Sequence, residues 1–500
     1  MRGLSKKLKG WTGKMNVAKK ILCFCLALII IGQSAVSVSA SSDTKDKQIH
    51  ALLKEACRKS AVPGISVAVV KGNETQYYSS GYSDSNKKIK ADQKTIYELA
   101  SVSKAYTGTA ILLLAERDQL SLQDSISHYL PEFELNYQGK PVDMSKITIE
   151  NLLYHTSGMT NASHTKYIPV GEDEDMLEKT AENLSGTEID FYPGEQYVYG
   201  TVNYALLGRI IEVVSKQSYE TFMKNELFEP LNLHQTFAFE REAKKTHHLA
   251  QGYRSSFLMT RAHESLPYRG NKPAGYLLSS SEDMAKWMKL QLGQTEEIPE
   301  EYQQAIMRSH EDNRSVADVD GNYYAGGWEV HKDGQIIEHS GNNPSFTTQV
   351  TLFPQEEIGI CVLSNSNTTN VNIVHNIKRI IDGKSSGAYP MGNIRQIDVI
   401  FTSVTIAGTL LSVVFFLLGI QRNRKGTKKN RTKKRMLLNT FWILMTLFSL
   451  FLCLFLPMLM GIDYKSLWDW EPSILTAFGS FFILNGAILW FVLSVYPWKK

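Results

Sequence analysis

The sequence predicts an α/β (α+β) fold: an antiparallel sheet flanked by helices, an all-helical subdomain, and three transmembrane helices behind them. Three observations carry this expectation. Apolar β-type runs stand near both ends of residues 41–382, and helical patterns fill the middle. Residues 399–500 hold three uncharged apolar runs. The first forty residues read as an export signal.

Residues 1–40 join a basic start to an apolar run and end in Val38-Ser39-Ala40, a signal peptide cut after Ala40. A retained anchor helix is the alternative. A helix is expected over Lys45–Ser60, then strands Ile65–Val70 and Glu74–Ser80. Strands return at Tyr324–Trp328, Ile336–His339, Thr347–Phe353 and Gly359–Ser364, before a helix over Val371–Ile381. Strands from both ends of 41–382 then share one sheet, with a cleft against the helical subdomain. Residues 383–398 form a linker. The runs 399–420, 437–462 and 473–496 are each long enough to span a bilayer. The 421–435 loop carries nine Lys and Arg residues and belongs in the cytoplasm. The acidic, Trp-bearing connection 463–472 suits the outer interface. The catalytic domain is therefore expected outside the cell membrane and the C-terminus inside.

The net charge of +4 says little, because basic residues are segregated into the N-terminus and one loop. No basic-aromatic pattern suggests nucleic acid. No Cys/His cluster has metal spacing, so neither metal nor cofactor is expected. Cys57 and Cys361, the cysteines outside the membrane segments after cleavage, are expected as buried free thiols.

The chemistry centres on Ser101-Val102-Ser103-Lys104. A long apolar helix follows, so Ser101 is expected at its N-terminus, where free N–H groups favour developing negative charge. Lys104, three residues on, shares its face. Lysine there opposes the helix dipole, which argues for a role beyond solvation. Burial and a second cation would lower its pKa. Tyr199 follows a Pro-Gly turn. Held between Lys104 and a protonated His339, its phenol could lose or relay a proton. Glu98 stands one turn before Ser101 and could accept from a substrate amide or orient Lys104; it equally suits a helix N-terminus. Asn342 and Asn343 bring amides to the strand edge after Gly341, or are turn residues. His155 is expected to be structural, and His263 could line the pocket.

Ser101-Val102-Ser103-Lys104, Tyr199-Gly200-Thr201 and His339-Ser340-Gly341 are ordered like the active-site elements of penicillin-recognising serine hydrolases. With His155-Thr156-Ser157-Gly158 and Pro273-Ala274-Gly275, residues from about 45 to about 370 resemble the class C β-lactamase and penicillin-binding-protein-like superfamily. The resemblance implies a β-lactamase/transpeptidase-like fold and an acyl-enzyme mechanism. Ser101 would be the nucleophile, Lys104 its partner and Tyr199 the general base. The backbone N–H groups of Ser101 and Asn342 would form the oxyanion hole. Glu98, Thr201, His339, Gly341, Asn342 and Asn343 would bind substrate. The family's Tyr-x-Asn is here Tyr199-x-Thr201, and its Lys-Thr-Gly is His339-Ser340-Gly341. The Thr201 departure argues against broad β-lactam hydrolysis, while His-x-Gly is a frequent variant among esterase- and peptidase-like members.

Within the superfamily, the three-span tail, Thr201 and Glu98 resemble the membrane-bound peptidases that remove N-acyl-D-asparagine caps from nonribosomal peptides, the colibactin-maturing type. A small acylated peptide substrate, the membrane and an exporter are the partners this implies. A cell-wall D,D-carboxypeptidase or D-amino acid esterase is the alternative reading. A sensor of β-lactams or wall fragments is a third.

Overall fold

The computed structural model describes residues 45–294, 298–313, 316, 321–424, 433–459 and 464–494. The signal segment and most of the 421–435 loop lie outside the described residues.

One antiparallel sheet of eight strands organises the catalytic domain. Its order is Tyr323–Tyr324, Glu329–Val330, Ile337–Asn343, Phe346–Phe353, Ile358–Ser364, Gly64–Lys71, Glu74–Asp84 and Ile89–Lys90. Strands from the two ends of this domain meet at the sheet's centre, where Ile65 pairs with Ser364 and Val69 with Ile360. Side chains alternate across the pleat. Val67 and Val69 pack on the helices Lys45–Lys59 and Ile373–Ile381. Ala68 and Val70 face a larger core shared with the helices Ser103–Glu116, Thr201–Ser215 and Ser281–Gln291. Cys57 and Cys361 are free and belong to the two opposite cores.

Some elements differ from the sequence expectation. Tyr324–Trp328 does not form one strand; it is broken by Gly326 and Gly327, leaving two short pairs. The strand expected over Ile336–His339 runs over Ile337–Asn343. The stretch before Ser101 is a short strand, Ile96–Glu98, paired with Leu278–Ser280.

Three helices are long and apolar enough to cross a membrane: Asn393–Arg424, Leu437–Phe455 and Pro472–Leu493. Leu410, Phe416 and Leu444 expose half or more of their surface, which suits lipid rather than water. The first of these helices starts at Asn393, inside the expected linker. Tyr389 of that linker is buried and donates no slack: its hydroxyl accepts from the Asn370 amide at 2.8 Å.

The first span is tied to the catalytic domain through Asp398, which is fully buried. Its carboxylate accepts from the amides of Phe257 and Leu258 at 2.8 and 3.1 Å and from the Ser255 hydroxyl at 3.0 Å. Arg395 and Thr402 complete its shell at 3.2 and 3.1 Å. Ser255, Phe257 and Leu258 belong to the hairpin Tyr253–Ser256 and Met259–Ala262, which the short helix Tyr464–Trp470, between the second and third apolar helices, also meets. There Arg254 donates to the carbonyls of Trp468 and Asp469, both at 2.7 Å.

Candidate active site

Ser101 lies in a 3-10 turn, Ala100–Val102, and the α-helix begins only at Ser103. Ala100 holds φ at +47°, a left-handed conformation that costs a residue with a Cβ. This tight entry sets Ser101 at the junction of sheet and helix. Lys104 is fully buried, its Nζ 3.2 Å from Ser101 Oγ and 2.7 Å from the carbonyl oxygen of Ala274. The Pro273-Ala274-Gly275 segment thus fixes the amine. Burial holds the Lys104 pKa far below the ordinary lysine range, because the charged form loses its water.

Tyr199 precedes the helix Thr201–Ser215. Its hydroxyl is buried and makes no hydrogen bond, and Lys104 Nζ stands 4.8 Å from its ring centre. Burial raises the Tyr199 pKa, against a smaller downward pull from Ser101. His155, fully buried, holds the Tyr199 turn: its Nδ1 accepts from Asn203 Nδ2 at 3.0 Å and lies 3.4 Å from the Gly200 amide. His155 therefore scaffolds the tyrosine.

The protonated His339 expected beside Tyr199 is not what the structure holds. Burial first, then Lys104, push its pKa down to about 3. Its Nδ1 lies 2.7 Å from the Ser340 carbonyl oxygen and its Nε2 2.9 Å from the Tyr324 hydroxyl. A carbonyl only accepts, so Nδ1 carries the proton and Nε2 accepts from Tyr324. The picture of a phenol between two cations is thereby corrected. The resting site holds a desolvated lysine whose pKa is driven down, a neutral phenol and a neutral imidazole. Tyr324 went unnoticed in the sequence, where it is one more β-strand aromatic.

The Ile337–Asn343 strand pairs with Phe346–Phe353 along its full length, but Glu329–Val330 covers only Ile337 and Glu338 on its other side. The His339–Asn343 edge is open. His339, Gly341 and Asn343 face inward, while Ser340 and Asn342 are exposed. The Asn pair is therefore split by the pleat. The Asn342 Oδ1 accepts from Thr347 at 3.0 Å. Asn343 Nδ2 donates to Glu98 Oε2 at 2.8 Å and to the Gly275 carbonyl at 2.9 Å. Burial raises the Glu98 carboxyl to about 7, with Asn343 opposing the shift.

Thr201 stands elsewhere from its expected partners: its hydroxyl donates to Asn271 Oδ1 at 3.1 Å, and its amide donates to Asn161 Oδ1 at 2.7 Å. A cavity of about 850 Å³ opens beside Glu98, with Lys272, Tyr276, His263 and Phe346 also on its wall. Ser101 is not on that wall, but the Glu98–Ser101 segment joins the two. The Lys272 side chain makes no hydrogen bond or ion pair among the described residues, and nothing in its sequence context marks it. No group of three metal-ligating side chains occurs among the described residues.

A serine held against a buried lysine and a shielded tyrosine, between an open strand edge and a helical subdomain, defines a serine acyl-enzyme hydrolase of the β-lactamase and penicillin-binding-protein superfamily. The chain belongs to the Beta-lactamase family, matching it over residues 49–383. It is 31% identical to Protein flp of Staphylococcus aureus (strain MRSA252) over 387 residues, 76% of this chain and 75% of that protein. It is 28% identical to Penicillin-binding protein 4* of Bacillus subtilis (strain 168), over 64% of this chain and 72% of that one. The octameric penicillin-binding protein homologue from Pyrococcus abyssi superposes with a TM-score of 0.59 at 25% identity, covering 71% of this chain and 81% of that chain.

Proposed function

We propose that this protein is a membrane-anchored, extracytoplasmic serine peptidase that removes an N-acyl-D-asparagine cap from a small peptide. Ser101 Oγ attacks the acyl carbonyl and its proton passes to Lys104 Nζ, 3.2 Å away. The oxyanion is received by the backbone N–H groups of Ser101 and Asn342. The Tyr199 hydroxyl gives its proton to the leaving amine and is reprotonated from Lys104. Water then enters by the reverse route: one proton of the water passes through Tyr199 to Lys104, which returns it to Ser101 Oγ as the C–O bond breaks, and the acid released ionises to a carboxylate. In this reading Lys104 is the first base and Tyr199 passes the proton on, whereas the family resemblance implies Tyr199 as the base.

The observation that carries the substrate reading is the Glu98–Asn343 pair on the path from nucleophile to cavity. Asn343 Nδ2 gives both its hydrogens to Glu98 and Gly275, which leaves Asn343 Oδ1 as an acceptor and the second Glu98 oxygen as a donor when protonated, together the complement of a carboxamide. An alanine side chain would leave those buried groups unpaired, at roughly 1–3 kcal/mol each. The D configuration follows the superfamily resemblance. The apolar helices fit a substrate with a fatty acyl chain that travels along the membrane.

The test compares myristoyl-D-Asn, myristoyl-L-Asn and diacetyl-Lys-D-Ala-D-Ala amides by kcat/KM, using full-length protein in detergent. The D-Asn amide should win. If the D-Ala-D-Ala substrate wins, the wall-peptidase reading replaces this one. The topology is tested by single cysteines: reagent added outside should reach 464–470 and miss 425–432. The reverse pattern overturns it.

A further inference from the structure

The hydrogen bond joining His263 to Asp469 crosses from the catalytic domain to the connection between the second and third spans. His263 Nε2 lies 2.7 Å from Asp469 Oδ1. Both side chains are largely buried, at 18% and 8% exposure. His263 stands on the wall of the cavity that holds Glu98. The site therefore has a wall residue whose partner comes from the membrane domain, 206 residues later in the chain.

We propose that Asp469 is a positioning residue for substrate selection: it fixes the orientation and tautomer of His263, so that the membrane domain completes the acyl-side cavity. A carboxylate accepts, so it draws the proton of the neutral ring to Nε2. Nδ1 is then a bare acceptor, and it has no partner among the described residues. An acceptor on the wall suits a substrate N–H group. Without Asp469 the ring is free to exchange tautomers or turn, and the wall would offer a donor as readily as an acceptor. Two anchors hold the carboxylate in place. Arg254 binds the Asp469 carbonyl at 2.7 Å, and Leu467 of the same short helix is buried. The inference rests on the acyl-transfer reading of this site, but not on which residue the acyl group carries.

The experiment uses full-length protein in detergent and amide substrates that differ only in the acyl-side residue: D-Asn, D-Gln, D-Ser and D-Ala. Selectivity is the ratio of kcat/KM between the best and the poorest of these for the wild type, whichever they are. Failure of the D-Asn reading would change that order and leave this measurement intact. Asp469→Ala should lower the ratio at least tenfold, chiefly through KM of the best substrate. Asp469→Asn, which still offers an oxygen to the ring N–H, should recover most of it. Adding Asp469→Ala to His263→Ala should change the ratio by less than twofold, because the carboxylate acts through the ring. Lys465→Ala, at an exposed position of the same helix, should match the wild type. An unchanged ratio in Asp469→Ala overturns the proposal, as do losses that multiply in the double variant or an equal loss in Lys465→Ala. If Asp469→Ala fails to fold, Asp469→Glu takes its place: it keeps the charge, moves the acceptor by one methylene, and must still lower the ratio at least threefold.

Discussion

Gly341 lies against the backbone of Ser101. A Cβ at position 341 would stand 2.8 Å from the Ser101 nitrogen and 2.5 Å from the Leu99 carbonyl oxygen. Neither neighbour is a flexible side-chain tip, so neither gives way cheaply. The open strand edge and the nucleophile are thus set at a spacing only glycine allows. Gly341→Ala should push the strand outward, cost roughly 1–3 kcal/mol of stability and lower kcat by about 100-fold. Chemical denaturation and steady-state kinetics read the two effects. Unchanged kcat would move the oxyanion site away from this junction.

Ser101→Ala should abolish turnover. Lys104→Ala should lower kcat by about 10³-fold or more, since the serine loses its proton acceptor. Tyr199→Phe should lower it by about 10²–10⁴-fold, the range of a lost proton relay. A fluorophosphonate probe should label wild type at Ser101 and Lys104→Ala far more slowly. Equal labelling rates would remove Lys104 from the base role.

The Glu98 carboxyl, raised to about 7, gives a pH signature. The unfolded chain loses this proton near its ordinary value of about 4.3, where the folded protein still holds it. The cost is absent below that ordinary value, grows as pH rises, and is complete above about 7. Glu98→Gln should therefore stabilise the protein at pH 8 and leave it little changed at pH 4, as urea midpoints would show. A larger gain at pH 4 would contradict the burial of this carboxyl.

Tyr324 supplies the hydroxyl that His339 Nε2 accepts. Tyr324→Phe leaves a buried acceptor unpaired and should cost about 1–3 kcal/mol. The loss should appear in thermal melts at pH 7. The Nδ1 proton still donates to the Ser340 carbonyl and burial still disfavours the charged ring, so His339 should stay neutral, which NMR of the imidazole would show. A protonated ring at pH 7 would restore the two-cation picture.

Ser101 and Lys104 were legible because helical spacing alone brings residues three apart to one face. The sheet was legible because Ile65–Val70 and Gly359–Ser364 are both continuous apolar runs that need burial on two faces. The protonation state of His339 was not legible, since it depends on burial that only the assembled sheet and helices create. Neither was the division of Asn342 from Asn343, which depends on the strand continuing two residues beyond Gly341. Ser101 does stand at the N-terminal end of its helix, but the 3-10 first turn and the left-handed Ala100 that leads into it are not announced by the sequence. The Asp469–His263 bond joins segments with no local pattern in common, and composition had divided them into separate domains.

Asp398 sets where this protein can be cut. The composition changes near residue 382, and a fragment ending there looks like a complete soluble enzyme. It would leave the Phe257 and Leu258 amides and the Ser255 hydroxyl without their shared acceptor. The hairpin those groups hold in register leads directly to His263 and the cavity. A soluble fragment that keeps its substrate preference must therefore extend through Thr402, carrying the first turns of the apolar helix as part of the enzyme.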